Sequence, residues 1–274
     1  LTECGVLKAD MFGGCGLNAL QDLRFGDHFS NDVDFHNVIS SIEAGVFSNL
    51  PSLHSLSLFN CSVKHLASSS FQGIDHLDAL DLSFNQLKEL PADLFQSLTM
   101  LQELDLEANQ LTIIHENTFQ PLENLDSLDL SFNSLTSLPE NTFSGMMNQN
   151  WVDLSGNNLT SISDVMFKDF RHLWVLLLYR NQLSTIHADA FRQMLDLQIL
   201  DLSDNLLTAW DTEWVRTLRR PTQIIVANNP IASIRNPTPN TIAKLQHTRV
   251  TVNLENTDVT DPHDLNQMGL QGPT

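Results

Sequence analysis

Five aspartates, Asp81, Asp105, Asp129, Asp153 and Asp201, recur at intervals of 24 residues or a multiple of it. Such a column of carboxylates along one face could attract a basic partner or calcium. Like charges on neighbouring strands are tolerated in water, however, so the column reads first as a solvated acidic ribbon. Where the series skips an aspartate stands Leu177, and around it gather Trp151, Trp174, Val175, Tyr179, Arg180 and Ile199. Trp, Tyr and Arg dominate binding energy at protein interfaces, because they bury large area with little loss of entropy and keep a polar handle. These seven residues are the candidate partner-binding site, an island shared by three adjacent strands. The competing reading folds Trp174 over a core edge and uses Leu177 to fill a gap under a loop. Phe59, Phe84 and Phe132 extend apolar character toward the N-terminal part of the chain.

These positions belong to a repeat. L-x-x-L-x-L-x-x-N begins at Leu53, Leu77, Leu101, Leu125, Gln149, Leu173, Leu197 and Pro221, always 24 residues apart. Second and third apolar columns run from Leu80 to Ile224 and from Leu82 to Val226. An asparagine column runs from Asn85 to Asn229, and a phenylalanine column from Phe47 through Phe191 to Val215. A further copy near residue 29 fits only in its second half (Asn37, Ile39, Ile42, Phe47, Leu50), with Asp32 and Asp34 where leucines belong. Alternating apolar residues in L-x-L form a short strand, and one coil per repeat stacks the strands into a parallel sheet. A lone unit could not bury its inner face. The asparagine amides would satisfy backbone groups of the neighbouring coil, and the phenylalanines would form a second stack on the opposite side. The second, fourth, sixth and seventh positions after each start should face solvent, and function is sought there.

This pattern resembles the typical extracellular leucine-rich repeat of Toll-like receptor ectodomains, Slit-type proteins and secreted invertebrate immune proteins. The resemblance implies a right-handed α/β-type solenoid, a horseshoe with a parallel concave sheet and an irregular or 3-10 convex side. It also implies an extracellular protein-recognition module that binds through the concave face, in innate immunity or cell-surface recognition. The alternative is an assembly subunit whose island mates with a copy of itself or with a sister leucine-rich-repeat chain. The expected organisation is an N-terminal cap over 1–28, about nine repeats over 29–235, a non-covalent C-terminal cap over 236–255 with a helix near 241–246 and a strand at 249–254, and a polar tail over 256–274. The chain starts at Leu1 without a Met or a signal peptide, so whatever preceded it is expected to have been removed.

Composition narrows the partners. With 33 acids against 14 bases the net charge is -19, which disfavours nucleic acid and anionic membranes. No window is long and apolar enough to span a membrane. Three cysteines, Cys4, Cys15 and Cys61, lack the CxxC spacing of a zinc site. Cys4 and Cys15 could close a small disulfide loop, implying an oxidising compartment, while Cys61 replaces an asparagine of the column as a buried thiol. Asn60-Cys61-Ser62 and Asn158-Leu159-Thr160 are glycosylation sequons. The histidines are scattered, and no catalytic or phosphate-binding motif occurs, so no enzyme, catalytic residue, cofactor or metal is expected.

Overall fold

The protein is described by a computed structural model covering residues 5–9, 11–14, 16–26, 38–236, 238–248 and 250–259. The chain forms two compact units, residues 1–146 and 147–274. In both, the backbone coils once per repeat and contributes one three-residue strand to a parallel sheet, the solenoid that the periodicity predicts.

In the first unit the strands are β1 (Asp22–Arg24), β2 (Ser55–Ser57), β3 (Ala79–Asp81), β4 (Glu103–Asp105) and β5 (Ser127–Asp129). They pair in chain order and in parallel, with Leu23, Leu56, Leu80, Leu104 and Leu128 side by side. In the second unit β6 (Trp151–Asp153), β7 (Val175–Leu177), β8 (Ile199–Asp201), β9 (Gln223–Ile225) and β10 (Thr251–Asn253) do the same, with Val152, Leu176, Leu200, Ile224 and Val252 in register. The side-chain period of two turns that whole central row inward and the residues on either side of it outward. The strand that pairs with β2 is Asp22–Arg24, from the segment expected to be a cap. The region of Asp32 and Asp34 lies outside the described residues.

Each strand stops because the chain then enters the left-handed region. The seventh position of every repeat, from Asn60 to Asn228 through Gly156, has φ between 51° and 63°. The next residue is the column asparagine, buried and fully used. Asn109 accepts from the N–H of Leu87 at 3.1 Å and donates from its amide to the carbonyls of Leu82 and Leu106 at 2.9 and 3.1 Å. One side chain thus closes its own turn and clasps the preceding coil, replacing backbone partners that the turn removes.

The phenylalanines stack as expected. Phe119 lies 6.0 Å from Phe95 and 6.5 Å from Phe143, and Phe191 lies 6.3 Å from Phe167, all nearly parallel and buried. Toward the C-terminus the ring meeting Phe191 is Trp214, edge-on at 6.4 Å, rather than a side chain from the column position Val215. A 3-10 turn at Thr212–Val215 shifts the ring into place. Helix α1 (Pro239–Thr248) packs against that turn, and β10 then covers the edge of β9. Among the described residues no helix is long and apolar enough to cross a membrane.

Candidate functional site

The outward rows of the sheet place the island together. Trp151, Val175 and Ile199 are direct neighbours on β6, β7 and β8, and all three are half-buried. Leu177, also half-buried, stands in the next outward row between Asp153 and Asp201. Tyr179 follows it on the same coil, Arg180 is exposed at the left-handed seventh position with φ 53°, and Trp174 is 48% exposed. Ile225, flanking Asp201 on β9, adds an apolar residue that the column reading left aside.

The acidic row departs from a solvated ribbon. In every copy the aspartate carboxylate accepts the backbone N–H two residues on: Ser83 onto Asp81 at 3.0 Å, Glu107 onto Asp105 at 2.8 Å, Ser131 onto Asp129 at 2.7 Å, Ser155 onto Asp153 at 2.7 Å and Ser203 onto Asp201 at 2.9 Å. The carboxylates thus bend back to close the strand exit, an Asx-type use that explains why this residue recurs. Asp153 is only 6% exposed, and the other four are half-buried. The sixth position is likewise not a solvent position where serine fills it: Ser83, Ser131, Ser155 and Ser203 are buried, and only Phe59, Glu107 and Tyr179 leave the column partly open.

On β3, β4 and β5 the register sets Asp81, Asp105 and Asp129 side by side. Carboxylate oxygens of Asp105, Glu107 and Asp129 lie within 4.8 Å of one another. Burial first, then the charges of Asp129, Asp81 and Glu107, overcome the hydrogen bond from Glu107 and push the Asp105 carboxyl up to about 7. The same causes raise Glu107, and burial raises Asp129. An ordinary aspartate titrates near 4, so this row carries charge under an electrostatic load. The sequence pattern, "LDLS" repeated, holds no sign of that burial.

The left-handed seventh position was also hidden in the sequence. Asn60, Gly156, Asp204 and Asn228 suit it, whereas Phe84, Phe132 and Arg180 do not. Phe84 and Phe132 are nevertheless 45% and 41% exposed, so burial does not offset the conformational cost, and Phe59 rests against Phe84 with ring centroids 5.2 Å apart.

The remaining expected sites are spread out. Cys61 is a free, buried thiol whose N–H is held by Asn85 Oδ1 at 3.1 Å, and burial together with Asp81 pushes it up to about 12, far from a reactive thiolate. Cys4 and Cys15 lie outside the described residues. Asn60 and Asn158 are half-buried, and Asn158 Oδ1 accepts from Gln182 Nε2 at 2.9 Å.

The leucine-rich-repeat sequence profile matches residues 51–111, 75–135, 123–183, 150–207 and 171–231. The chain belongs to the leucine-rich-repeat family. Among solved structures, the chain is similar to a Leptospira interrogans leucine-rich-repeat protein, with a TM-score of 0.73 and 26% identity over 92% of this chain and 59% of that one. It is similar to a chain of the mouse RP105/MD-1 complex (TM-score 0.70, 24% identity, 84% of this chain and 40% of that one). It is also similar to a chain of the Drosophila Toll–Spatzle complex (TM-score 0.66, 20% identity, 87% of this chain and 35% of that one). No curated protein matches it in sequence. This leucine-rich-repeat chain spans between about a third and three fifths of the length of these structural relatives.

Proposed function

We propose that the chain is an extracellular recognition module that binds a protein ligand through the outer sheet face of its second unit, the concave face of this repeat architecture, in innate immunity or cell-surface recognition. The observation that carries this reading is the apolar row Trp151, Val175, Ile199, in register across three strands and backed by Leu177 in the next row. Aromatic and branched side chains held on adjacent strands form a rigid platform whose burial by a partner costs little entropy. Toll with Spatzle and RP105 with MD-1 are relatives in complexes, which supports protein binding as the use of such a face. Secretion fits the sequons at Asn60 and Asn158.

The test is capture from extracellular fluid with the intact chain and with Leu177→Asp side by side. Placing a charge in a desolvated contact and losing the leucine's burial should weaken the partner by at least about 2 kcal/mol, some thirtyfold. Gln223→Ala, on the same face but two strands from Leu177, should change affinity by less than about 1 kcal/mol. A second copy of the chain recovered in place of another protein, with concentration-dependent light scattering, would make the island an assembly surface. Equal binding by Leu177→Asp and the intact chain would remove the island from the site.

A further inference from the structure

We propose that the outer sheet face of the first unit docks a basic, arginine- or lysine-bearing segment of a protein partner along Asp81, Asp105 and Asp129, bordered by the exposed rings of Phe84 and Phe132. This surface is separate from the island and does not depend on it.

Charge complementarity makes the first argument. Residues 1–146 hold 20 of the 33 acids and 4 of the 14 bases, a net -16, against 13 and 10, a net -3, in residues 147–274. On the sheet face of the first unit the imbalance becomes local. Asp105 faces Asp81 from β3 and Asp129 from β5, with Glu103 and Glu107 on its own coil. The base on this face, Arg24 of β1, is separated from Asp81 by the whole of β2 and joins no ion pair among the described residues. Adjacent strands are about 4.8 Å apart, so like charges at neighbouring positions repel at contact range. The chain holds this row against that repulsion, and a cation laid across it would relieve the load.

The rings select the occupant. Phe84 and Phe132 each stand three residues beyond an aspartate of the row, at 45% and 41% exposure, and Phe59 packs on Phe84. A divalent ion would use the carboxylates and leave the rings idle. A guanidinium or ammonium uses both, because its charge meets the carboxylates while its methylene stem and flat face lie on phenyl rings. An acidic ligand would be repelled by the field of this unit, and a purely apolar one would strand the carboxylates without water.

The raised carboxyl of Asp105 adds a signature. Burial and its acidic neighbours hold the proton on, and a cationic partner pulls in the other direction. Binding therefore expels a proton and strengthens as pH rises through about 7, whereas a face of ordinary carboxylates, already ionised, would be flat over the same range.

The experiment is titration calorimetry of the full chain with a short oligo-arginine peptide at physiological ionic strength, with a chelator present, at about pH 6 and about pH 8. Asp105→Asn combined with Asp129→Asn keeps the amide oxygens that close the turns and should weaken binding by about tenfold or more. Glu116→Gln combined with Glu140→Gln removes the same charge from exposed positions off the sheet and should change it by less than about twofold. Phe84→Ser should cost about threefold. The intact chain should bind several-fold more tightly at the higher pH, and Asp105→Asn should lose that dependence. Leu177→Asp should bind the peptide like the intact chain, which separates this surface from the island. Equal losses from the two double variants would reduce the effect to the overall field and overturn the proposal, as would unchanged affinity in the Asp105/Asp129 variant.

Discussion

The two units are built on one interior and wear two different faces. Asn109 in the first and Asn205 in the second make the same set of bonds, each accepting one N–H from the preceding coil and donating to its carbonyl and to those of its own turn. The outward rows share the aspartate that closes the strand exit and little else. On β3 to β5 the fourth position is acid beside acid beside acid, while on β7 it is a leucine between two aspartates, with Trp151, Val175 and Ile199 in the row next to it. The difference teaches that the inner columns specify the coil so completely that the outer positions are left to other uses. Here one unit concentrates charge and the other apolar surface.

If the interior is common, damage to it should cost the same in either unit. Phe119→Ala and Phe191→Ala each remove a fully buried ring from a stack, and each should lower the unfolding free energy by about 3–5 kcal/mol in urea titrations. A large loss in one and none in the other would show that the two stacks are not equivalent. Asn109→Ala and Asn205→Ala come next. Each leaves a buried N–H and several carbonyls without partners, for a loss of about 2–3 kcal/mol, again matched between units.

Smaller effects separate the faces. The Asp105 carboxyl is raised in the folded chain relative to the unfolded one, so the folded state binds the extra proton between the ordinary carboxylate range and about 7. Its contribution to stability is therefore greatest below that window and is lost as pH rises through it. Asp105→Asn should accordingly raise the unfolding free energy at about pH 8 by about 1 kcal/mol, solvent screening having removed much of the Coulombic cost, and leave it little changed at about pH 4. A pH-independent effect of the substitution would place Asp105 in ordinary solvent and erase the contrast between the faces.

How much of this the sequence could show follows from what each residue does. The inner columns, the asparagine clasp and the phenylalanine stack were legible because each serves the fold alone and recurs every 24 residues with few exceptions. The island residues could be named because Leu177 breaks the aspartate column and Tyr179 the serine column, and a break in a repeat is visible without coordinates. The state of the aspartates was not legible. An identical "LD" pair describes a carboxylate in water or one bent onto a backbone N–H among acidic neighbours, and only register and burial distinguish them. Nor was the left-handed seventh position, since Phe84 and Phe132 are residues that the conformation disfavours and so they mask it. The strand Asp22–Arg24 was missed for a similar reason: a single leucine flanked by charges carries too little periodicity to announce a strand.

The assignment of faces rests on neighbouring side chains pointing in opposite directions, and β7 offers that test at one peptide bond. Leu176, fully buried, and Leu177, half-buried, are each to be replaced by aspartate and the two variants unfolded in urea beside the intact chain. An unpaired carboxylate in the inner row costs more than a coil can bear, so Leu176→Asp should lose at least about 4 kcal/mol or fail to fold, whereas Leu177→Asp, outward like Asp105, should stay within about 1–2 kcal/mol of the intact chain. Comparable losses from both substitutions would make Leu177 part of the core and contradict the outward island.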